Sequence, residues 1–189
     1  MIGTDTSNAI LFNFQPSGAS ALTVLADKLS QTGVTGSTQL AKHDSARILS
    51  IKDRFERAAL AVQLPPALLA AMASRESRCG ATLDSNGYGD NQHAFGILQI
   101  DKRYHTLQGV ADPHSDAHIC QASTLLNAFL QQITCHYPHW PAARQLQAAV
   151  VAYNAGVKNV KTLQGMDIGT THNDYSNDVW ARALYFAGH

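Results

Sequence analysis

Residues 65–80 read PPALLAAMASRESRCG, and the reading of the whole chain turns on them. Pro66 suits the first turn of a helix, where its missing N–H costs little and its fixed φ already fits. The spacing predicts a helix through the following residues, stopping at Gly80 as a C-terminal cap. Leu68, Met72 and Glu76 recur every fourth residue, so they share one face. A carboxyl therefore sits at the end of an apolar stripe. Burial disfavours the charged form of a carboxyl and raises its pKa. An acid kept neutral near working pH is what general acid catalysis requires. Arg75 and Arg78 flank Glu76, but neighbours one or two positions away point elsewhere on a helix. From spacing alone, an ion-paired glutamate near a helix end is the plain alternative.

Outward from this stretch the pattern stays mostly helical. Upstream, patterning begins near Ser37, and Ile48, Ile51, Phe55, Ala59 and Val62 form one helical face that Pro65 ends. Residues 1–36, rich in Gly, Ser and Thr, read as a partly irregular arm around a single domain spanning 37–189. Downstream, DSNGYGDNQH (84–93) is turn chemistry and FGILQI (95–100) is a short strand-like run, so a small sheet or hairpin is expected. Ser115 can cap the next helix, which carries Ile119, Ala122, Leu126, Phe129 and Ile133 and ends by Pro138. Pro141 opens a further helix through Leu146, Ala149 and Tyr153 to Gly156. Alanines at 142, 143, 148, 149 and 152 let neighbours approach it closely, and it reads as the central buried helix. A last helix begins near Thr171 and carries Tyr175, Val179, Ala183 and Phe186. The fold class is mainly α, of α+β type.

Composition narrows the function. The 189 residues fit one domain, and 45% hydrophobic content supports a core. Fourteen basic residues balance fourteen acidic ones, which argues against a nucleic-acid partner. No apolar run approaches the roughly 20 residues that span a bilayer, so no membrane partner is expected. The start lacks the basic and apolar regions of a secretory signal. Cys120 and Cys135 fall on one helix, roughly 22 Å apart at the α-helical rise, too far to pair. With Cys79 they read as small buried hydrophobes, and no zinc-ligand spacing appears. Nine histidines would turn a neutral protein cationic in a mildly acidic compartment.

Two further carboxylates stand near the turn-rich segment: Asp90 in the loop and Asp101 after the strand-like run. Alone they read as a turn residue and a strand-end residue. With Glu76 they make one acid on a helix and two carboxylates beside it. Glycosidases need such a separation, because acid and base work on opposite faces of one sugar. Tyr153 and Asn154, at the end of the alanine-rich helix, can line a sugar cleft, since tyrosine offers a flat face and a hydroxyl.

Five blocks now stand in order: SRES (74–77), NGYGD (86–90), FGILQIDKR (95–103), AYNAG (152–156) and MDIGTTHNDY (166–175). Together they resemble the goose-type lysozymes over roughly residues 37–189. The resemblance implies a lysozyme-like fold, a helical bundle around a central buried helix with a small antiparallel β region beside the cleft. It implies hydrolysis of the β-1,4 bond between N-acetylmuramic acid and N-acetylglucosamine, for antibacterial defence. Bacterial peptidoglycan and chito-oligosaccharides are the implied partners of a monomer, with no metal or organic cofactor. Glu76 falls on the family's general acid, and Asp90 and Asp101 on the aspartates that position and activate water. Gln99, His105, Tyr153, Asn154 and Tyr175 match positions lining the sugar cleft. Well-known secreted members carry four cysteines in their N-terminal portion, paired as two disulfides. This chain has none before Cys79 and looks more like the fish-type members. Function implies a secreted, lysosomal or phagosomal location, and the absent signal leaves a cytoplasmic one open. Two alternatives remain. A lytic transglycosylase would use the same acid without water, and a non-catalytic peptidoglycan-binding protein is opposed by the presence of Glu76.

Overall fold

In the computed structural model, which describes residues 1–188, Pro66–Ser77 is a helix with ten of its twelve residues buried. The helices are α1 (Asp5–Asn8), α2 (Ala21–Leu25), α3 (Gly33–Ser50), α4 (Lys52–Val62), α5 (Pro66–Ser77), α6 (Asp116–His136), α7 (Ala142–Ala155) and α8 (Tyr175–Gly188). Strands β1 (Tyr88–Gly89), β2 (Ala94–Phe95) and β3 (Ile100–Asp101) lie between α5 and α6 and form an antiparallel sheet in the order β1-β2-β3. Tyr88 faces Phe95 and Phe95 faces Ile100 across it. The alanine-rich α7 was expected at the centre. The more fully enclosed helix is α5, which packs chiefly on α8 and also touches α3 and α4. Its alanines bring those neighbours close, while Leu68, Leu69 and Met72 fill the space with no exposure. Val179, Trp180, Ala183 and Phe186 of α8 belong to the same core.

Three local readings change. The expected helix from Ser37 to Val62 begins at Gly33 and breaks at Ile51, whose φ/ψ of −126°/20° ends α3 and opens α4. The break lets Ile48 and Phe55 both reach full burial. Helix α5 stops before Gly80: Arg78 and Cys79 already take left-handed φ of 53° and 51°. Their N–H groups donate to Ser74 and Ala73 carbonyls at 3.1 and 2.8 Å, closing the helix end. In FGILQI only the ends are strand. Gly96 and Gln99, at φ 74° and 47°, turn the chain between β2 and β3.

The arm is tied down from residue 2. Ile2 is fully buried and its N–H donates to the Phe186 carbonyl at 3.0 Å. Trp180 Nε1 donates to the Leu11 carbonyl at 2.9 Å, and Ser17 and Ser20 N–H groups reach Asn177 and Asp174 near the start of α8. All three cysteines are free. Cys79 is buried as expected, but Cys120 and Cys135 are exposed, because the buried stripe of α6 runs through Ile119, Ala122, Leu126 and Ile133 and leaves both outside it. Among the described residues no helix is long and apolar enough to cross a membrane.

Candidate active site

Glu76 stands in the last turn of α5. Burial pushes its carboxyl up to about 7, against the opposing pull of the Tyr175 hydroxyl and the Arg75 charge. The Tyr175 hydroxyl donates a short hydrogen bond to Glu76 Oε1. No salt bridge to Glu76 forms among the described residues, so the ion-paired alternative does not describe it. Arg75 turns away, as helix geometry requires, to Asp174 at 2.9 Å and Asp178 at 2.8 Å. Asp178 also receives Arg182 at 2.8 Å and the Ser37 hydroxyl at 2.7 Å. These bonds clamp the end of α5 between α3 and α8. Buried charges cost stability unless paired, and here the pairing is nearly complete. Glu76 lines a cavity of about 300 Å3 with Arg75, Arg78, Thr171 and His172.

A second cavity, of about 510 Å3, is lined by five of the residues expected at the cleft: Gln99, Asp101, His105, Tyr153 and Asn154, with Tyr104 beside them. Arg103 grips Asp101, its Nε 3.0 Å from both carboxylate oxygens and its Nη2 2.5 Å from Oδ2. These bonds hold the Asp101 carboxyl below the usual range. Asp90 is exposed and begins three successive left-handed residues, at φ 45°, 53° and 67°. It lines neither cavity, but its Oδ2 lies 3.7 Å from Arg103 Nη2, so one guanidinium spans both aspartates. The Asn154 side chain joins the two cavities. Its Oδ1 accepts the Thr171 N–H at 3.0 Å and its Nδ2 donates to Thr171 Oγ1 at 3.2 Å. Tyr153 donates its hydroxyl to the Leu98 carbonyl at 2.7 Å, which ties α7 to the β2–β3 turn. Tyr175, expected on the sugar-facing wall, is only 1% exposed and reaches the site through Glu76.

Sequence reasoning passed over Arg103, Arg75 and Thr171. Arg103 carried a usable signal. Its N–H also donates to Asp101 Oδ1 at 2.8 Å, the local turn that aspartate commonly makes two residues on. Arg75 and Thr171 carried none, because Arg75 meets Asp174, 99 positions away, and Thr171 meets Asn154, 17 positions away. Chemically, the two cavities hold one carboxyl raised to about 7 by burial and another held below its usual range by Arg103. Environments that push two carboxyls apart in this way separate an acid from a base.

The family model for Lysozyme g matches residues 10–189. Lysozyme g of Gallus gallus is 42% identical over 172 residues, covering 91% of this chain and 80% of the relative. Lysozyme g of Cyprinus carpio is 41% identical over 169 residues, covering 89% and 90%. Lysozyme G of Dromaius novaehollandiae is 37% identical over 193 residues, covering 100% and 93%.

Proposed function

The chain belongs to the lysozyme g family, and on that premise we propose that Glu76, Asp90 and Asp101 carry out peptidoglycan cleavage by inverting single displacement. As a lysozyme it is a glycoside hydrolase, and its substrate is bacterial peptidoglycan. In the proposed step Glu76 gives its proton to the glycosidic oxygen as the C1–O bond breaks and C1 gains oxocarbenium character. A water held by Asp101, Asp90 or both attacks C1 from the opposite face and loses a proton to the carboxylates. The observation that carries this reading is the raised Glu76 carboxyl, which opens to a cavity stitched by Asn154 and Thr171 to the one that Asp101 lines. Gln99, His105, Tyr153 and Asn154 would contact the sugar, and chito-oligosaccharides would serve as small substrates.

Inversion needs room for a water, with acid and base carboxyls about 6.5–9.5 Å apart. Proton NMR of the first products from a chito-oligosaccharide tests the step. The α anomer is expected, and a β anomer overturns single displacement. Mass spectrometry of muropeptides gives the other arm: 1,6-anhydro products, one water lighter, would show that a substrate hydroxyl displaces the leaving group instead.

A further inference from the structure

His118 is fully buried on α6, one turn beyond the Ser115 cap. Its Nε2 accepts the Leu98 N–H at 3.1 Å, so that nitrogen carries no proton and the neutral ring holds its proton on Nδ1. Nδ1 is buried and meets no hydrogen-bond partner among the described residues. The ring lies tight against the β2–β3 turn. A Cβ added at Gly96 would fall 2.4 Å from Nε2, and the Phe95 ring meets the imidazole edge-on at 5.5 Å. An orphaned polar atom in such a place costs stability. A leucine would avoid that cost. What the imidazole adds is one acceptor.

That acceptor completes a set of restraints on residues 96–98. Gly96 N–H donates to the Gly87 carbonyl at 2.8 Å and Ile97 N–H to the Pro113 carbonyl at 3.1 Å. Ser77, the residue after Glu76, donates its hydroxyl to the Ile97 carbonyl at 2.9 Å. Leu98 is gripped from both sides: its N–H by His118 of α6, its carbonyl by the Tyr153 hydroxyl of α7. The next residue is Gln99, held in a left-handed conformation, and Asp101 follows two positions later. We propose that His118 is a positioning residue for the lysozyme reaction: its Nε2 fixes Leu98, and through Leu98 the segment carrying Gln99 and Asp101 and the ring of Tyr153. It acts without touching substrate, and it rests on the roles proposed above for those groups.

The charged groups around the ring are His114 and Asp112, the latter paired with Arg54 at 3.2 Å. Burial first, then His114, push the imidazole down to about 4, with Asp112 opposing. Above that pH the ring is neutral and accepts. Below it Nε2 gains a proton and faces the Leu98 N–H donor to donor. The sign follows: the folded pKa lies below the unfolded one, so the contribution is complete above about 6.5 and is lost as pH falls through about 4.

The test compares wild type, His118→Leu and His118→Gln on chito-hexaose, with kcat and KM measured from pH 3 to 8. Loss of the acceptor should lower kcat about tenfold or more with a smaller change in KM, since small misplacements of reacting groups are costly. Glutamine presents an accepting oxygen at a similar reach and does not titrate. It should restore most of kcat and take away the His118 contribution to the acid limb near pH 4, leaving a limb set by the aspartates alone. In wild type, long-range nitrogen–proton NMR should show His118 with Nε2 unprotonated at pH 6. Three results overturn the inference: a folded His118→Leu with kcat within twofold of wild type, a His118→Gln whose acid limb is unmoved from that of wild type, or a protonated Nε2. If His118→Leu does not fold, the glutamine variant and the NMR decide alone. Glu76→Gln, assayed alongside, separates the two levels: full activity there would sink the site assignment, whereas the His118 results speak to positioning only.

Discussion

The two sides of the site are built on opposite principles. Glu76 ends a helix whose every turn is enclosed, and its properties come from removal of water. Asp90 lies in the exposed turn after β1 and Asp101 at the end of β3, and Asp101 takes its properties from one neighbouring guanidinium. Desolvation raises a carboxyl and is little affected by salt. An ion pair at the surface lowers a carboxyl and is screened. The lesson is that a fold can set two like groups to opposite tasks by where it spends enclosure. On the roles proposed above, the rigid helical core holds the proton donor, and the loops hold the groups that admit water.

The sharpest way to break this contrast is to remove the donor. Glu76→Gln should keep the fold and lower lysis of a bacterial suspension by about a thousandfold or more, judged against what general acids and their coupled partners contribute. Near-normal lysis would leave Glu76 without its role. The same variant tests the cost of enclosure. The folded pKa of about 7 lies above the unfolded value, so the ionised glutamate destabilises the native state increasingly as pH rises through 7. Glu76→Gln should therefore be more thermostable than wild type at pH 8, by about 1–3 kcal/mol, and nearly equal to it at pH 4. Equal melting at both pH values would mean the carboxyl is not desolvated.

On the exposed side the effects should be divided. If Asp90 and Asp101 share the water, Asp90→Asn and Asp101→Asn should each cost about tenfold to a hundredfold and the double variant more than the two combined, because either carboxylate can still hold the water when the other is gone. A single variant as inactive as the double one would assign the base to that residue alone. Arg103→Met should raise the Asp101 pKa toward its ordinary value, followed by carbon NMR of the carboxyl. Salt at about 0.5 M should move it the same way in wild type while leaving the Glu76 pKa in place, since the pair is exposed and the burial is not. Parallel shifts in both would erase the distinction between the two sides.

The contrast also explains what could be read from the chain. The apolar stripe ending in Glu76 was legible because a helix repeats locally, and the Ser115 and Pro141 helix starts were legible for the same reason. The break at Ile51 was not, since both flanking segments keep an apolar face and only the packing of Ile48 and Phe55 demands the bend. Nor was the stop at Arg78, where a non-glycine residue is held left-handed by partners far along the chain. Asp27 and Asp44 pair with its side chain, and Arg47 donates to its carbonyl. The β region was legible as turn chemistry, but the three strands are two residues each, too short for alternation to mark them. Gln99, Asp101, His105, Tyr153 and Asn154 were named together through the family resemblance, and they line one cavity. Tyr175 was named with them, and its burial was legible only from the stripe it shares with Val179, Ala183 and Phe186, since a motif fixes order and not depth.

Tyr175 offers the smallest and most discriminating change. Its hydroxyl donates to Glu76 Oε1 and so favours the charged form, working against the burial that raises the pKa. Removing the donor in Tyr175→Phe leaves the desolvation in place and takes away the opposing pull. The Glu76 pKa should rise further, and the alkaline limb of the kcat profile, expected near pH 7 in wild type, should move up. At pH 6, where the acid is already mostly protonated, kcat should fall only a few-fold from looser placement of the carboxyl. A downward shift of that limb would mean the hydroxyl accepts a proton from a neutral Glu76 and stabilises the acid form. In that case tyrosine and burial would act together, and the acid side would owe its pKa to a specific partner as the aspartate side does.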